Sequence, residues 1–335
     1  MVDHSLTAVA PPNTINLADP RLGAAALFAS DEFFAPKERL LNPAEPEWRA
    51  GVYDDHGKWM DGWESRRRRD GGFDHCLIRL AAAGTLSLLE IDTRHFTGNF
   101  PPYASVEACR IEGEPAADTV WRELLPRTAL QGDRRQTFAV TGAEVWTHLK
   151  LNIYPDGGVA RFRAYGRVHR DWSGAGAAAV DLAAALNGGR ALACSDEHYG
   201  AKENLLLPGR GASMADGWET RRRREPGFDW VILQLGRAGR IEAVELDTAH
   251  FKGNFPHQVS LHAAFLGDEA ERDLDLTSRC LYWPVLLEPQ LLRADAVQRF
   301  SAELRDLGPV THVRVNMHPD GGLSRVRLIG RPERA

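Results

Sequence analysis

The sequence lacks the features that mark a membrane or secreted protein. No stretch approaches the roughly 20 consecutive apolar residues that a membrane-spanning helix requires. The first residues, MVDHSLTAVAPPNTINL, contain no basic segment followed by an apolar one, so a secretion signal is not indicated. We therefore expect a cytoplasmic protein that has no membrane partner.

The sequence also has few cysteines and only a small net charge. The four cysteines, Cys76, Cys109, Cys194 and Cys280, show no C-x-x-C spacing, which argues against a disulfide framework or a zinc cluster and favours buried free thiols. The formal net charge is −5, with acidic and basic residues mixed along the chain. This distribution provides no basic face for nucleic acid.

Familiar catalytic and cofactor motifs are missing as well. The chain has no G-x-S-x-G nucleophile elbow, no P-loop and no G-x-G-x-x-G segment after a strand. We therefore expect neither a covalent serine nucleophile nor a nucleotide or redox cofactor.

What the sequence does contain is an internal repeat. D-G-W-E-S-R-R-R-R at residues 61–69 recurs as D-G-W-E-T-R-R-R-R at 216–224, and D-T-R-H-F-T-G-N-F-P at 92–101 recurs as D-T-A-H-F-K-G-N-F-P at 247–256. N-I-Y-P-D-G-G at 152–158 matches N-M-H-P-D-G-G at 316–322. Repetition at this length predicts two copies of one domain. We place them at residues 15–170 and 180–332, joined by a small-residue linker at 171–179.

The two copies differ in places. The first copy carries ten extra residues between Glu38 and Asp61, compared with the stretch from Glu203 to Asp216 in the second. The first copy also has His75 where the second has a tryptophan. The two domains are therefore not expected to be fully equivalent.

Within each copy the segments are short and punctuated by glycine. We expect strands at 76–80, 86–91, 145–153 and 159–165, where apolar residues cluster or alternate with polar ones. The P-D-G-G segments indicate turns of β-hairpins, and helix is expected only at 180–186 and 294–304. Many short strands separated by turns predict an all-β fold, with one β-sandwich in each copy.

The two D-G-W-E-[ST]-R-R-R-R segments and the two D-T-x-H-F-x-G-N-F-P segments resemble the allantoicase family. The resemblance extends over nearly the whole chain and includes the duplication. It implies a tandem of jelly-roll β-sandwiches similar to the discoidin or galactose-binding type. It also implies hydrolysis of allantoate to ureidoglycolate and urea, a step of allantoin degradation in purine catabolism.

The expected substrate defines the groups that a site needs. Allantoate has a central CH that carries one carboxylate and two ureido groups. Arginine binds a carboxylate through two parallel hydrogen bonds, and the asparagine amide offers a donor and an acceptor to a urea group. A histidine beside an aspartate suits the acid that protonates the departing urea nitrogen, and a glutamate suits a base or an arginine partner.

The repeated motifs supply each of these groups twice. We predict as catalytic residues His95, His250, Glu64, Glu219, Asp92 and Asp247. We predict as substrate-binding residues Arg66, Arg67, Arg68, Arg221, Arg222, Arg223, Asn99, Asn254, Lys37 and Lys202. If the arginine run continues a strand, Arg66 and Arg68 cannot line the same surface as Arg67 and Arg69, so only one pair in each copy reaches the ligand.

Simpler structural explanations exist for each of these residues. Arginines and glutamates form surface salt bridges, histidines cap strand ends, and asparagines form turns. Aspartate with histidine could also hold a divalent metal, but no metal site is indicated and no cofactor is expected.

A non-catalytic β-sandwich protein that binds carbohydrate or a small anion is the alternative function. Two sandwiches with sites on their loops often associate, so we expect a homo-oligomer.

Overall fold

Most elements in the described part of the chain are β-strands. The computed structural model describes residues 14–174, 178–267 and 275–333. The chain divides into two compact units, with the boundary between residues 169 and 170. Residues 175–177 of the predicted linker lie outside the described residues. No helix in the described part of the chain is long and apolar enough to cross a membrane.

In its described residues, unit 1 contains twelve strands and two short 3-10 helices. The strands are β1 (Ile15–Asn16), β2 (Ala25–Ala29), β3 (Tyr53–Asp54), β4 (Gly57–Lys58), β5 (Trp63–Glu64), β6 (Asp74–Asp92), β7 (Tyr103–Cys109), β8 (Arg122–Ala129), β9 (Arg135–Ala139), β10 (Trp146–Tyr154), β11 (Gly158–Val159) and β12 (Arg161–Val168). The 3-10 helices are Pro20–Leu22 and Lys37–Leu41.

Unit 2 repeats this order without a counterpart of β3 and β4 among its described residues. Its strands are β13 (Val180–Asp181), β14 (Arg190–Cys194), β15 (Trp218–Glu219), β16 (Asp229–Asp247), β17 (Gln258–Ala264), β18 (Val285–Leu291), β19 (Val297–Phe300), β20 (Val310–His318), β21 (Gly322–Leu323) and β22 (Arg325–Pro332). Its short helices are Ala185–Asn187, Lys202–Leu206, Met214–Asp216, Leu276–Arg279 and Cys280–Tyr282.

One long strand organises each unit. In unit 1, β6 spans 19 residues and belongs to two layers in turn. Its first half pairs with β2 and β10, and that layer continues through β7 to β8. Its second half pairs with β9 and β12, and that layer continues to β1. In unit 2, β16 takes the same place. The predicted fold class, two tandem β-sandwiches, is confirmed.

The apolar core of unit 1 lies between the two layers. Ile78 and Ile91 of β6, Leu149 of β10 and Phe162 of β12 are fully buried members of one cluster. Successive side chains of a strand point to opposite faces, so each strand contributes every second residue to this core. Full burial of a side chain of this size stabilises the folded state by about 1.5–3 kcal/mol relative to leaving it exposed to water.

Several details differ from the sequence-based expectations. The strands predicted at 76–80 and 86–91 are one continuous strand, β6. The predicted hairpin at each P-D-G-G turn is wrong, because β10 and β12 pair with β6 and not with each other. The helices predicted at 180–186 and 294–304 are also wrong. Strand β13, a 3-10 turn and strand β19 occupy those positions, since β13 pairs with β22 and β19 with β16.

The P-D-G-G turn of unit 1 is packed tightly against the loop after β6. A Cβ added to Gly158 would lie 1.9 Å from Cε1 of the fully buried Phe96. Gly157 has a φ of +141°, and a Cβ there would lie 2.8 Å from the carbonyl oxygen of Asn99. The backbone N–H of Gly158 donates to that same oxygen at 2.7 Å. Only glycine fits both positions, and the turn fixes the Asn99 loop in place.

We predict that Gly158→Ala destabilises unit 1. Phe96 is enclosed and cannot move aside without disturbing its neighbours, so overpacking should cost about 1–3 kcal/mol of unfolding free energy. Denaturant unfolding followed by tryptophan fluorescence measures this loss. Gly98→Ala is the matched control, because a Cβ at Gly98 meets nothing within 4 Å. Equal stability of the two variants would contradict the packing argument.

Candidate functional site

The repeated glutamate and the repeated asparagine are in direct contact. Strand β5 pairs with β11, and Trp63 next to Glu64 is fully buried. Nδ2 of Asn99 donates to Oε1 of Glu64 at 2.7 Å. In unit 2, Asn254 donates to Glu219 in the same way. A hydrogen bond thus joins two of the repeated motifs in each unit, between residues that are 35 positions apart in the sequence.

The environment of Glu64 favours its protonated form. Burial raises the pKa of Glu64, and the nearby carboxylate of Asp54 raises this pKa further. The hydrogen bond from Asn99 acts in the opposite direction, because it stabilises the charged carboxylate. A carboxyl group with a raised pKa can exchange protons closer to neutral pH than an ordinary glutamate.

The arginine run that follows lines a single surface depression. Strand β5 ends at Glu64, and residues 65–69 have no strand structure. Arg66, Arg67, Arg68 and Arg69 all line a depression of about 650 Å³, together with Ser30, Asp31, Asp70 and Asp74. In unit 2 a depression of about 340 Å³ is lined by Arg221, Arg222, Arg223 and Arg224, with Ser195, Asp196, Glu225 and Asp229. The expectation that alternate arginines face opposite surfaces is wrong, because the strand ends before the run begins.

Two of the four arginines in unit 1 are already held by carboxylates. Nε of Arg66 donates to Asp31 at 2.7 Å, and Arg68 donates to both Asp70 and Asp74 at 2.7 Å. Burial would raise the pKa of Asp31, but hydrogen bonds from Arg66 and from the Phe33 backbone hold it below its usual value. The hydrogen bond from Arg68 lowers the pKa of Asp70 to about 2.

The other two arginines remain available. Arg67 and Arg69 are exposed and form no hydrogen bond or ion pair with any described residue. In unit 2 the same division holds: Arg221 pairs with Asp196 and Arg223 with Asp229, whereas Arg222 and Arg224 are exposed. Each depression has four guanidinium groups against three carboxylates, a formal charge of +1. It can therefore accept a small anion.

The two predicted histidines are held by the backbone. His95 and His250 have positive φ angles of 71° and 70°. Their Nε2 atoms lie 3.1 Å from the carbonyl oxygen of Pro46 and 2.7 Å from that of Gly211. A carbonyl only accepts, so Nε2 carries the proton and donates it. Neither histidine lines an arginine depression.

The expected pairing of each aspartate with its histidine is not observed. Asp92 is fully buried and accepts from Nε of Arg94 at 2.8 Å. Asp247 accepts from the backbone N–H of Ala249 at 2.8 Å and lies 3.4 Å from Nε of Arg210. Arg94 and the backbone N–H of Ala249, each two residues along the chain, satisfy these carboxylates locally, which leaves the histidine rings to other partners. Within the described ranges, no three His, Cys, Asp or Glu residues are placed to hold a metal ion.

The two predicted lysines also form ion pairs with neighbouring glutamates. Nζ of Lys37 lies 2.9 Å from Glu38 and 3.3 Å from Glu32, and the hydrogen bond with Glu38 raises the pKa of Lys37. Lys202 lies between Glu203 and Glu197 at 2.9 and 3.2 Å. Neither lysine lines the depressions.

Sequence reasoning missed the carboxylates that position the arginines. Asp31 orients Arg66, and Oδ2 of Asp156 accepts from the backbone N–H of Arg68 at 2.7 Å. Asp320 does the same for Arg223. A signal existed, because these aspartates belong to the repeated S-D-E and P-D-G-G segments.

Comparisons with known proteins agree with one another. The family model described as "Allantoicase repeat" matches residues 15–169 and again 180–333. The chain is 56% identical to a probable allantoicase of Photobacterium profundum over 318 residues, covering 94% of this chain and 96% of that protein. It is 55% identical to a probable allantoicase of Ralstonia nicotianae, covering 94% of each. The crystal structure of allantoicase from Saccharomyces cerevisiae is similar with a TM-score of 0.81 at 35% identity, covering 96% of this chain and 94% of that one.

We predict that Glu64→Gln stabilises unit 1 at neutral pH. Since folding raises the pKa of Glu64, the folded chain keeps this proton to higher pH than the unfolded chain. Stability is therefore lost as pH rises from the unfolded pKa, about 4.3, to the folded one. Glutamine has no charge to desolvate and keeps an oxygen for Asn99.

Melting temperatures across this pH range test the prediction. The variant should melt above the wild type at neutral pH, and the two should converge below about pH 4. Glu123→Gln, on the exposed surface of β8, is the control and should track the wild type. A difference in melting temperature between the Glu64→Gln variant and the wild type that is the same at every pH would contradict the prediction.

Proposed function

We propose a catalytic site on the premise that the chain belongs to the allantoicase family. The enzyme is a hydrolase that acts on a C–N bond of allantoate and releases urea and ureidoglycolate, a step in the degradation of allantoin. The site that we propose consists of the Glu64–Asn99 pair and the adjoining arginine depression, with Glu219 and Asn254 as the repeated pair.

The contact between Glu64 and Asn99 is the observation that carries this proposal. It joins a carboxyl group of raised pKa to a carboxamide, and the chain enters the arginine depression two residues after Glu64. The asparagine amide has one donor directed at Glu64 and a second donor and an acceptor left for a planar ureido group.

The available guanidinium groups suit the substrate carboxylate. Arg67 is exposed beside Arg66 and Arg68, which their own carboxylates hold in place. We assign Arg67 to the carboxylate of allantoate, with Arg69 beside it, because a planar guanidinium can form two parallel hydrogen bonds to a carboxylate. Arg222 and Arg224 have the same freedom in unit 2.

The reaction needs one group that donates a proton to the departing nitrogen and one that accepts a proton from the attacking water. The lone pair of one ureido nitrogen forms a C=N bond as the C–N bond to the other breaks, and the departing nitrogen keeps the bonding pair and takes a proton. Water then adds its oxygen to the central carbon and loses a proton. We assign that last proton to Glu64, since a base with a raised pKa holds it more readily than an ordinary glutamate.

The other predicted residues take supporting roles in this proposal. His95 and His250 hold the loops on which the asparagines lie, and Lys37 and Lys202 stay paired with glutamates. We also propose a cytoplasmic location and a homo-oligomer. The four cysteines are free thiols, which suits a reducing compartment.

We predict that the double variant Glu64→Gln with Glu219→Gln loses about 10²- to 10⁴-fold in kcat, the range expected when a general base is removed. Release of urea from allantoate by the purified protein is the measurement. Glu123→Gln is again the control, as an exposed glutamate outside the site. Urea release at the wild-type rate by the double variant would exclude the glutamates as the base.

A second prediction concerns substrate binding. Arg67→Ala with Arg222→Ala should raise KM at least about tenfold, because a charge-assisted hydrogen bond is worth roughly 1.5–3 kcal/mol. Arg122→Ala is the matched control. Arg122 is the first residue of β8, is exposed and pairs with Glu144, outside the proposed site. An unchanged KM in the double variant would remove these arginines from the site.

A further inference from the structure

The segment between Glu38 and Asp61, which is ten residues longer than its counterpart in the second copy, contains a β-hairpin. Strands β3 and β4 pair with each other, and Asp55 and His56 form the turn between them. Unit 2 has no such hairpin within its described residues, and its chain there passes from the 3-10 helix Lys202–Leu206 to Met214–Asp216. The hairpin is therefore the main structural difference next to the two candidate sites.

Buried polar contacts fix the segment that leads into the hairpin. Fully buried Arg161 pairs with Asp61 at 2.6 Å and donates to the carbonyl oxygen of Ala44 at 2.8 Å. The same carboxylate of Asp61 accepts from the backbone N–H of Glu47 at 2.9 Å. A buried ion pair with additional hydrogen bonds holds a defined geometry, so the hairpin starts from a fixed point.

Aromatic contacts fix its other end. The ring of Trp48 lies 6.0 Å from the ring of His95, and Nζ of Lys58 lies 3.5 Å above the Trp48 ring. Cation–π contacts of this kind contribute about 0.5–1 kcal/mol at exposed sites. The base of the hairpin is thus joined to the loop that follows β6.

The tip of the hairpin borders the proposed site. The imidazole of His56 lies 4.3 Å from the ring of Phe33, and the guanidinium of Arg66 lies 5.1 Å from that same ring. The next residue, Phe34, donates its backbone N–H to the carbonyl oxygen of Glu64 at 3.2 Å. His56 thus contacts the same ring as Arg66, which lines the arginine depression. That ring belongs to Phe33, one residue before the backbone contact between Phe34 and Glu64.

The ring of His56 is free to act on a ligand. His56 is exposed, and its ring nitrogens form no hydrogen bond with any residue in the described ranges. Its backbone N–H donates to the carboxylate of Asp54 at 3.0 Å. His95, in contrast, already uses Nε2 to donate to Pro46. Of these two histidines, only His56 has both ring nitrogens without a hydrogen-bond partner among the described residues, so either nitrogen can give a proton to a substrate.

The glutamates of the two units differ in burial. Glu64 is 9% exposed, whereas Glu219 is only half-buried. The hairpin also brings Asp54 close enough to act on Glu64 electrostatically. In unit 2, His198 replaces Phe33 in the sequence and packs edge-on against Tyr199, with ring centroids 4.6 Å apart.

We propose that His56 is a catalytic acid of the first unit and donates its ring proton to the ureido nitrogen that departs as urea. The proposal rests on the proposed function. The imidazolium loses one proton to urea, and Glu64 gains one from the attacking water, so the charges balance over the cycle. A proton passed from Glu64 back to His56 through solvent restores the starting state.

The test compares variants in a Glu219→Gln background, which removes the base of the second unit so that urea release reports the first. In this background His56→Ala and His56→Phe should lower kcat about 100-fold, the lower end of the range for a general acid, and leave KM within about threefold. Phenylalanine keeps the ring contact with Phe33 but has no proton to give. Added imidazole should restore part of the activity of His56→Ala.

His198→Ala in the same background is the matched control, and it should release urea at the rate of the Glu219→Gln parent. Three results would overturn the proposal: an inactive parent, a kcat of His56→Ala within about threefold of the parent, or a loss that imidazole does not restore. The Glu64→Gln, Glu219→Gln double variant separates the two proposals. If it is inactive while His56→Ala is active, only the role of His56 is wrong; if it is fully active, the proposed function of the glutamates is wrong as well.

Discussion

Two adjacent glycines after β10 determine where the candidate catalytic groups lie. Gly157 and Gly158 leave room for the Phe96 ring and for the backbone of Asn99, and a side chain at either position would push this loop away. The loop presents Asn99 to Glu64, and Glu64 is placed by the pairing of β5 with β11, which begins at Gly158. Three segments distant in sequence thus depend on one close backbone contact. Unit 2 keeps it, with Gly322 against Phe251.

The alternation of apolar and polar residues was enough to predict the fold class but not the path of the longest strand. Residues 81–84, Ala-Ala-Ala-Gly, show no alternation, so they suggested a break between two strands. They lie where β6 passes from one layer to the other, and a Cβ added to Gly84 would lie 2.5 Å from Cδ1 of Leu17 and 2.6 Å from the carbonyl oxygen of Arg167. Pairing partners that are distant in sequence determine this continuity, and no local pattern contains them.

The chemical identity of the site was easier to predict than its geometry. The repeat brought out glutamate, asparagine and arginine. In each unit the structure joins the glutamate to the asparagine and places the four arginines in one depression. Strand β5 is short because its partner β11 has only two residues. The sequence does not reveal this partner, so it could not show that the strand ends before the arginines and that all four line one depression. The histidine contacts depend on distant carbonyl groups. His56 stayed hidden for another reason: comparing two copies reveals only what they share.

The long strand β6 has a consequence for how unit 1 opens. Because this one strand supplies hydrogen-bond partners to four others across both layers, neither layer can detach while the strand stays intact. Local fraying is then confined to edge strands such as β8. Amide protons along both halves of β6 should exchange with solvent only when the whole unit opens, so the two sheets act as a single cooperative unit. The sequence of the exposed hairpin can change without opening that unit, which makes it a suitable place for one copy of a duplicated domain to diverge.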